Sequence, residues 1–221
     1  MKFKNSKEFT IQDQKLYLLP QKAVLWKDKR VLIISDLHLG KSGHFRKHGI
    51  AVPENVNQSN IERLDDLMMK YHPEKLVFLG DLFHSKRNNE VEQFEDWRKS
   101  HASTEMILTI GNHDLLTQFE FEKMGLTCVN QYQAGPFLFL HDDALNDDSS
   151  FYSISGHIHP AVKLKAKGRQ NIYTPCFYFG KGRALLPAFG AFTGNYRIKP
   201  AQNDSVFAVV EQKVIDISSI I

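Results

Sequence analysis

The chain has 221 residues, 42% hydrophobic and 24% charged, with 28 Lys and Arg against 25 Asp and Glu. That balance excludes a disordered, fibrous or disulfide-stapled protein and leaves enough apolar material for one α/β domain spanning 1–221. The net charge of +3 permits an acidic partner without requiring one.

Cys128 and Cys176 have no C-x-x-C spacing and fit a reducing cytoplasm. The opening MKFKNSKEFT lacks the apolar core of a signal peptide. No apolar run approaches the ~18 residues of a membrane span, so we expect a cytoplasmic protein without membrane contact.

In chain order, LYLL (16–19), AVLW (23–26) and VLIIS (31–35) read as strands, with Lys27-Asp28-Lys29-Arg30 as a charged turn. Ile61, Leu64, Leu67, Met68 and Tyr71 share one helical face; Ser59 with Glu62 reads as a capping box at its start, and Pro73 marks its end. LVFLGD (76–81) is a second buried strand, Val91, Phe94 and Trp97 mark a second helix, and MILTIGNHD (106–114) is a third strand and loop. This βαβαβ order predicts a largely parallel sheet. Beyond about residue 125, PFLFLH, FYSISGH, AVKLKA, NIYTP, SVFAVV and KVIDIS are short strands between turns. The expectation is two mixed β-sheets packed face to face and flanked by helices.

Five of these strands end in Asp, Asn or His. Asp36 and His38 follow VLIIS, Asp81 follows LVFL, and Asn112, His113 and Asp114 follow MILTI; His141 follows FLFL, while His157 and His159 follow FYSI. One such residue is an ordinary turn former. Five together point to a shared site, because α/β folds bind ligands beyond the carboxyl ends of strands. Carboxylate, imidazole and amide donors suit Mn²⁺, Fe²⁺, Zn²⁺ or Ni²⁺, and the absence of cysteine argues against a closed structural zinc site. Seven candidate ligands are too many for one ion and fit two. Paired metals about 3.5–4 Å apart clamp phosphoryl groups and activate water.

D-x-H, G-D, G-N-H-D, a strand-terminal His and G-H-x-H, in that order across residues 36–159, resemble the motif set of the calcineurin-like metallophosphoesterases. The resemblance implies a four-layer sandwich of two mixed sheets between helices. It implies one metal on Asp36, His38, Asp81 and His159, and a second on Asp81, Asn112, His141 and His157, with Mn²⁺ the first choice. It also places His113 at the leaving-group oxygen as proton donor or charge stabiliser, with Asp114 orienting it and raising its basicity. LGKSGHFRKHGIAVP (39–53), GDLFHS (80–85) and LPAFGAFTG (186–194) resemble, more narrowly, the bacterial ligase-associated DNA damage response endonuclease (PdeM) family. That implies a phosphodiester substrate such as DNA and a functional link to an ATP-dependent DNA ligase and a helicase. Homo-oligomerisation is left open.

On the substrate side, Arg46, His44 and His84 are the candidates, Arg for its forked contacts with phosphate. Lys163, Lys165, Lys167 and Arg169 alternate along one strand face, which could track a nucleic-acid backbone or simply blunt an exposed strand. Phe177-Tyr178-Phe179 and FGAFTG read first as core and turns, and second as a base-stacking surface. The alternatives to a nuclease are a hydrolase of nucleotides, lipid-linked sugar pyrophosphates or phosphoproteins, and a non-catalytic scaffold.

Overall fold

The computed structural model describes residues 3–41, 56–84, 89–145, 150–165, 171–191 and 193–220. The first sheet has seven strands in sequential order: β1 (Lys7–Ile11), β2 (Gln14–Leu19), β3 (Ala23–Trp26), β4 (Val31–Ser35), β5 (Lys75–Leu79), β6 (Glu105–Thr109) and β7 (Thr127–Val129). β1 to β4 pair antiparallel, and β4 to β7 pair parallel. The parallel crossovers carry α1 (Val56–Tyr71), α2 (Asn89–Ser100) and α3 (Gln118–Lys123).

The helices cover one face of this sheet. Leu64, Leu67 and Met68 of α1, Val91, Phe94 and Trp97 of α2, and Phe121 of α3 pack with Leu32, Ile34, Leu76 and Phe78 in one core cluster. The intervening Val31, Ile33, Val77 and Leu79 point the other way, into a second cluster. Both faces of β4 and β5 are therefore covered, which is why VLIIS and LVFL are apolar without alternation.

The second sheet has nine strands: β8 (Gln131–Ala134), β9 (Phe137–Leu140), β10 (Tyr152–Ser155), β11 (Pro160–Lys165), β12 (Asn171–Phe179), β13 (Arg183–Leu185), β14 (Tyr196–Arg197), β15 (Ser205–Val210) and β16 (Lys213–Asp216). Phe137, Phe139, Tyr152, Ile154, Phe177, Phe179 and Phe207 meet the first sheet in the second cluster. Two mixed sheets face to face with helices outside are thus what the sequence leads one to expect. Among the described residues, all three helices lie on the first sheet, and the second sheet's outer face carries a small cluster around Val162, Cys176, Val206, Ala208 and Ile217. No helix among the described residues is long and apolar enough to cross a membrane.

One helix start differs from the sequence reading. α1 begins at Val56, so Ser59 sits inside it, and the Glu62 carboxylate accepts from Gln58 Nε2 (2.9 Å) rather than closing a cap. The spacing S-x-x-E also arises within helices, where side chains four apart are neighbours. The capping box is instead at Thr117 and Glu120, at the head of α3.

Phe137 is fully buried between the sheets, its ring edge-on to Trp26. Phe137→Ala should cost about 3–5 kcal/mol, read as a lower midpoint in urea denaturation with an unchanged slope.

Candidate metal centre

β4, β5, β6, β9 and β10 direct their carboxyl ends to one edge of the sandwich. There the backbone turns through the left-handed region at Asp36 (φ 49°), His38 (49°), Asp81 (49°), His157 (61°) and His159 (51°). Each such turn costs a non-glycine residue of order 1–3 kcal/mol and persists only where the surroundings impose it. Here the two loops are zipped together: His38 N–H donates to Asp81 O (2.9 Å), Leu39 N–H to Leu82 O (2.9 Å), and His84 N–H to Leu39 O (2.8 Å).

Asp36 and Asp81 are 0% and 2% exposed, and neither forms an ion pair with Lys or Arg among the described residues. Imidazoles surround them. His38 Nε2 lies 3.7 Å from Asp81 Oδ2, and His141 Nε2 lies 3.5 Å from Asp81 Oδ1. His159 Nε2 lies 3.3 Å from Asp36 Oδ1, and the His157 backbone N–H donates to both Asp36 oxygens. Asn112 Oδ1 and His157 Nδ1 both face His141 Nε2, at 3.0 and 3.1 Å.

Backbone carbonyls set two of the tautomers. His141 Nδ1–H donates to Leu79 O and His159 Nδ1–H to Gly194 O, both at 3.0 Å. A neutral imidazole held this way turns its lone pair out at Nε2. Burial, Lys41 and the neighbouring histidines push the His38 pKa down to about 2, so that ring is neutral. The Nε2 atoms of His141 and His159 thus face carboxylate oxygens while carbonyls hold the opposite ring nitrogens.

The spacing of these donors suits a divalent cation. His38 Nε2 and His159 Nε2 stand 3.4 Å apart, and two nitrogens sharing an ion at about 2.1 Å are about 3.0–3.4 Å apart. Donor atoms of Asp36, His38 and His159, and of Asp36, Asp81 and His141, form two groups, each within 4.8 Å. The residues fit a centre for divalent metal, and buried carboxylates without one would be left uncompensated.

Comparison with known proteins agrees with this geometry. The family model for calcineurin-like phosphoesterases matches residues 29–184. The chain belongs to that family. No curated relative matches it. Among solved structures, the Pseudomonas putida nuclease MPE is similar at 29% identity and a TM-score of 0.81, covering 96% of this chain and 100% of that one. The Escherichia coli phosphoesterase YfcE matches at 15% identity and a TM-score of 0.45, over 84% of this chain and 96% of its own. The Aquifex aeolicus protein AQ665, of unknown function, matches at 18% and 0.41, over 58% and 78%. The last two are too distant to bear on function.

In this calcineurin-like phosphoesterase, the motif glycines make room for side chains of other motifs. A Cβ on Gly80 would lie 2.1 Å from the His141 ring, one on Gly111 2.2 Å from Asp81 Oδ1, and one on Gly156 2.4 Å from Asp36 Oδ2. Each of these three glycines is therefore a clearance for a candidate ligand from another motif.

Asp114 has a different task from the one its motif suggests. Its carboxylate accepts from the backbone N–H groups of Asp81, Leu82, Phe83 and Gly111, at 3.0, 2.8, 3.2 and 2.8 Å. It ties the loop after β5 to the loop after β6, and no hydrogen bond joins it to the His113 ring among the described residues. The His113 backbone N–H goes to Asp81 Oδ1 (2.9 Å), leaving its ring exposed.

His84 is brought in beside this group, its ring centroid 4.8 Å from that of His113 and 5.5 Å from that of His38. Arg46 and His44 lie outside the described residues, as do Lys167, Arg169 and the side chain of Lys165. Phe177 and Phe179 are buried in the inter-sheet core and Phe189 is fully buried, so none of these rings offers a face to a base.

The sequence reading misses the strap 187–190. Phe189 N–H donates to Ser35 O (2.7 Å) and Gly190 N–H to Asp36 O (3.0 Å). Half-buried Lys22 donates to Gly190 O (2.9 Å), and the Arg63 guanidinium stacks on the Phe189 ring at 4.2 Å. The strap clamps the end of β4 from outside, and four residues later Gly194 orients His159. The only signal in the sequence was the Gly-rich FGAFTG itself.

Replacing Asp114 leaves four backbone donors without their acceptor. Asp114→Ala should lower stability by about 3 kcal/mol or more, measured in urea, whereas a group acting only on His113 would leave stability unchanged.

Proposed function

We propose that the chain is a dinuclear metal-dependent phosphodiesterase that acts on nucleic acid. The observation that carries this reading is the pair of buried carboxylates faced by imidazole nitrogens at a shared strand edge. Asp36, His38, Asp81 and His159 would hold one ion, and Asp81, Asn112, His141 and His157 the other, with Asp81 between them. Bound divalent ions, Mn²⁺ first and Fe²⁺, Zn²⁺ or Ni²⁺ as alternatives, would supply Lewis acidity and an activated water.

The chain's own groups account for the rest. His113, exposed beside His38 and His84, gives a proton to the leaving oxygen. His84 stands on the substrate side. Asp114 keeps the loops carrying Asp81 and His113 at a fixed spacing. The likeness to the P. putida nuclease supports a polynucleotide substrate, and the narrower resemblance carried by residues 39–53, 80–85 and 186–194 supports a role in DNA repair alongside a ligase and a helicase.

Purified protein with Mn²⁺ should hydrolyse bis-p-nitrophenyl phosphate and cleave single- or double-stranded DNA. Diester turnover without cleavage of either DNA would refute the nuclease half, and no turnover of any phosphoester would refute the whole. His113→Asn should retain its metal and lose about 100-fold or more in kcat, while Asp81→Asn should lose metal, both checked by elemental analysis. Metal-free His113→Asn protein would overturn the assigned roles.

A further inference from the structure

The near-neutral net charge conceals a strong asymmetry. From Pro160 to Asn203 there is no Asp or Glu but eight Lys and Arg, leaving 20 basic against 25 acidic residues elsewhere. This acid-free stretch starts immediately after His159.

Its first part is the β11–β12 hairpin, which projects past the metal centre. Ser155, the last residue of β10, is level with Leu185 of β13, and Leu185 is level with Tyr178 of β12. β12 runs antiparallel to β13, so its earlier residues lie beyond the carboxyl end of β10. Tyr173 stands five residues past that level, about 17 Å at 3.3 Å per residue, and β12 is about 10 Å to the side of β10.

One face of the hairpin is built alike throughout. Lys163 pairs with Tyr173, Ala161 with Pro175, and Ala161 also with Arg197 of β14, and directly opposed residues share a face. Along β12 this face continues as Phe177 and Phe179, which are buried between the sheets. Where the first sheet ends, the same inward face emerges, carrying Tyr173 (51% exposed) with exposed Lys163 and Arg197. Neither cation forms an ion pair or side-chain hydrogen bond among the described residues. An exposed aromatic with one unpaired cation on the adjacent strand and a second on the strand beyond it, beside a phosphoester-cleaving edge, has the composition of a single-strand binding surface.

We propose that the inward face of the β11–β12 hairpin, with Lys163, Tyr173 and Arg197, is the docking surface for single-stranded nucleic acid flanking the scissile phosphodiester. Lys163 and Arg197 hold phosphates, and the Tyr173 ring stacks an unpaired base. The inference rests on the phosphodiesterase reading for its substrate class, but its test is separate from catalysis.

The experiment is fluorescence anisotropy with a labelled 12-nucleotide phosphorothioate oligothymidylate, which resists cleavage, and the full chain in Mn²⁺ across a salt series. Lys163→Ala/Arg197→Ala should weaken binding ten-fold or more and reduce the salt slope by about 1.4, as expected for two lost phosphate contacts on a single strand. Tyr173→Ala should weaken it at least five-fold with the slope unchanged. Lys29→Ala/Lys213→Ala, which removes two exposed charges elsewhere, should bind as wild type, and a duplex of the same length should compete poorly. Equal affinity of wild type and the Lys163/Arg197 variant would overturn the proposal, as would equal competition by duplex or no binding by wild type. Wild-type binding that depends on these residues without any diester turnover would sink the catalytic reading and leave the docking surface standing.

Discussion

Two carboxylates, Asp36 and Asp81, are buried side by side at the ends of adjacent parallel strands with no lysine or arginine paired to them among the described residues. Much of the local structure follows from that constraint. Left-handed turns at the strand ends hold the side chains over the edge, and loop-to-loop hydrogen bonds hold the turns. Carbonyls of Leu79 and Gly194 hold two imidazoles by Nδ1 so that Nε2 faces the carboxylates. Glycines at 80, 111 and 156 leave the room. A divalent cation held there would compensate the two buried carboxylates, which no lysine or arginine does among the described residues.

The centre straddles both sheets, so its dimensions depend on the core between them. Asp36, His38, Asp81 and Asn112 come from the first sheet, while His141, His157 and His159 come from the second. The packing of Trp26, Ile33, Val77 and Leu79 against Phe137, Phe139 and Ile154 therefore sets the distance between the two halves. The strap at 187–190 adds a second connection, from the far side of the second sheet's chain back to β4. Core and site are one mechanical unit here.

Charge is distributed as unevenly as the polar groups. The acid-free stretch after His159 puts Lys163 on a hairpin that outruns the sandwich and Arg197 on the neighbouring β14, while the acidic residues lie elsewhere. A global net charge averages this away, which is why composition alone said so little about partners.

The sequence by itself determined the strands and the ligand chemistry. Unbroken aliphatic runs at 31–35 and 76–79 could only be covered on both faces, and Asp, Asn and His at five strand ends could only be gathered by a sheet that aligns those ends. Those signals are local or periodic, so a one-dimensional reading reaches them. Other assignments needed the tertiary structure. Asp114 was legible as part of a histidine-orienting pair, yet its oxygens go to backbone N–H groups of residues 81–83, some thirty positions away. Ser59 had the spacing of a cap but lies within α1. Phe177 and Phe179 face the core while Tyr173, on the same strand and the same face, is exposed, because the opposing sheet stops between them. Which acceptor a carboxylate meets, and where a covered face becomes an open one, are decided by the docking of distant segments, and residue type and spacing do not encode it.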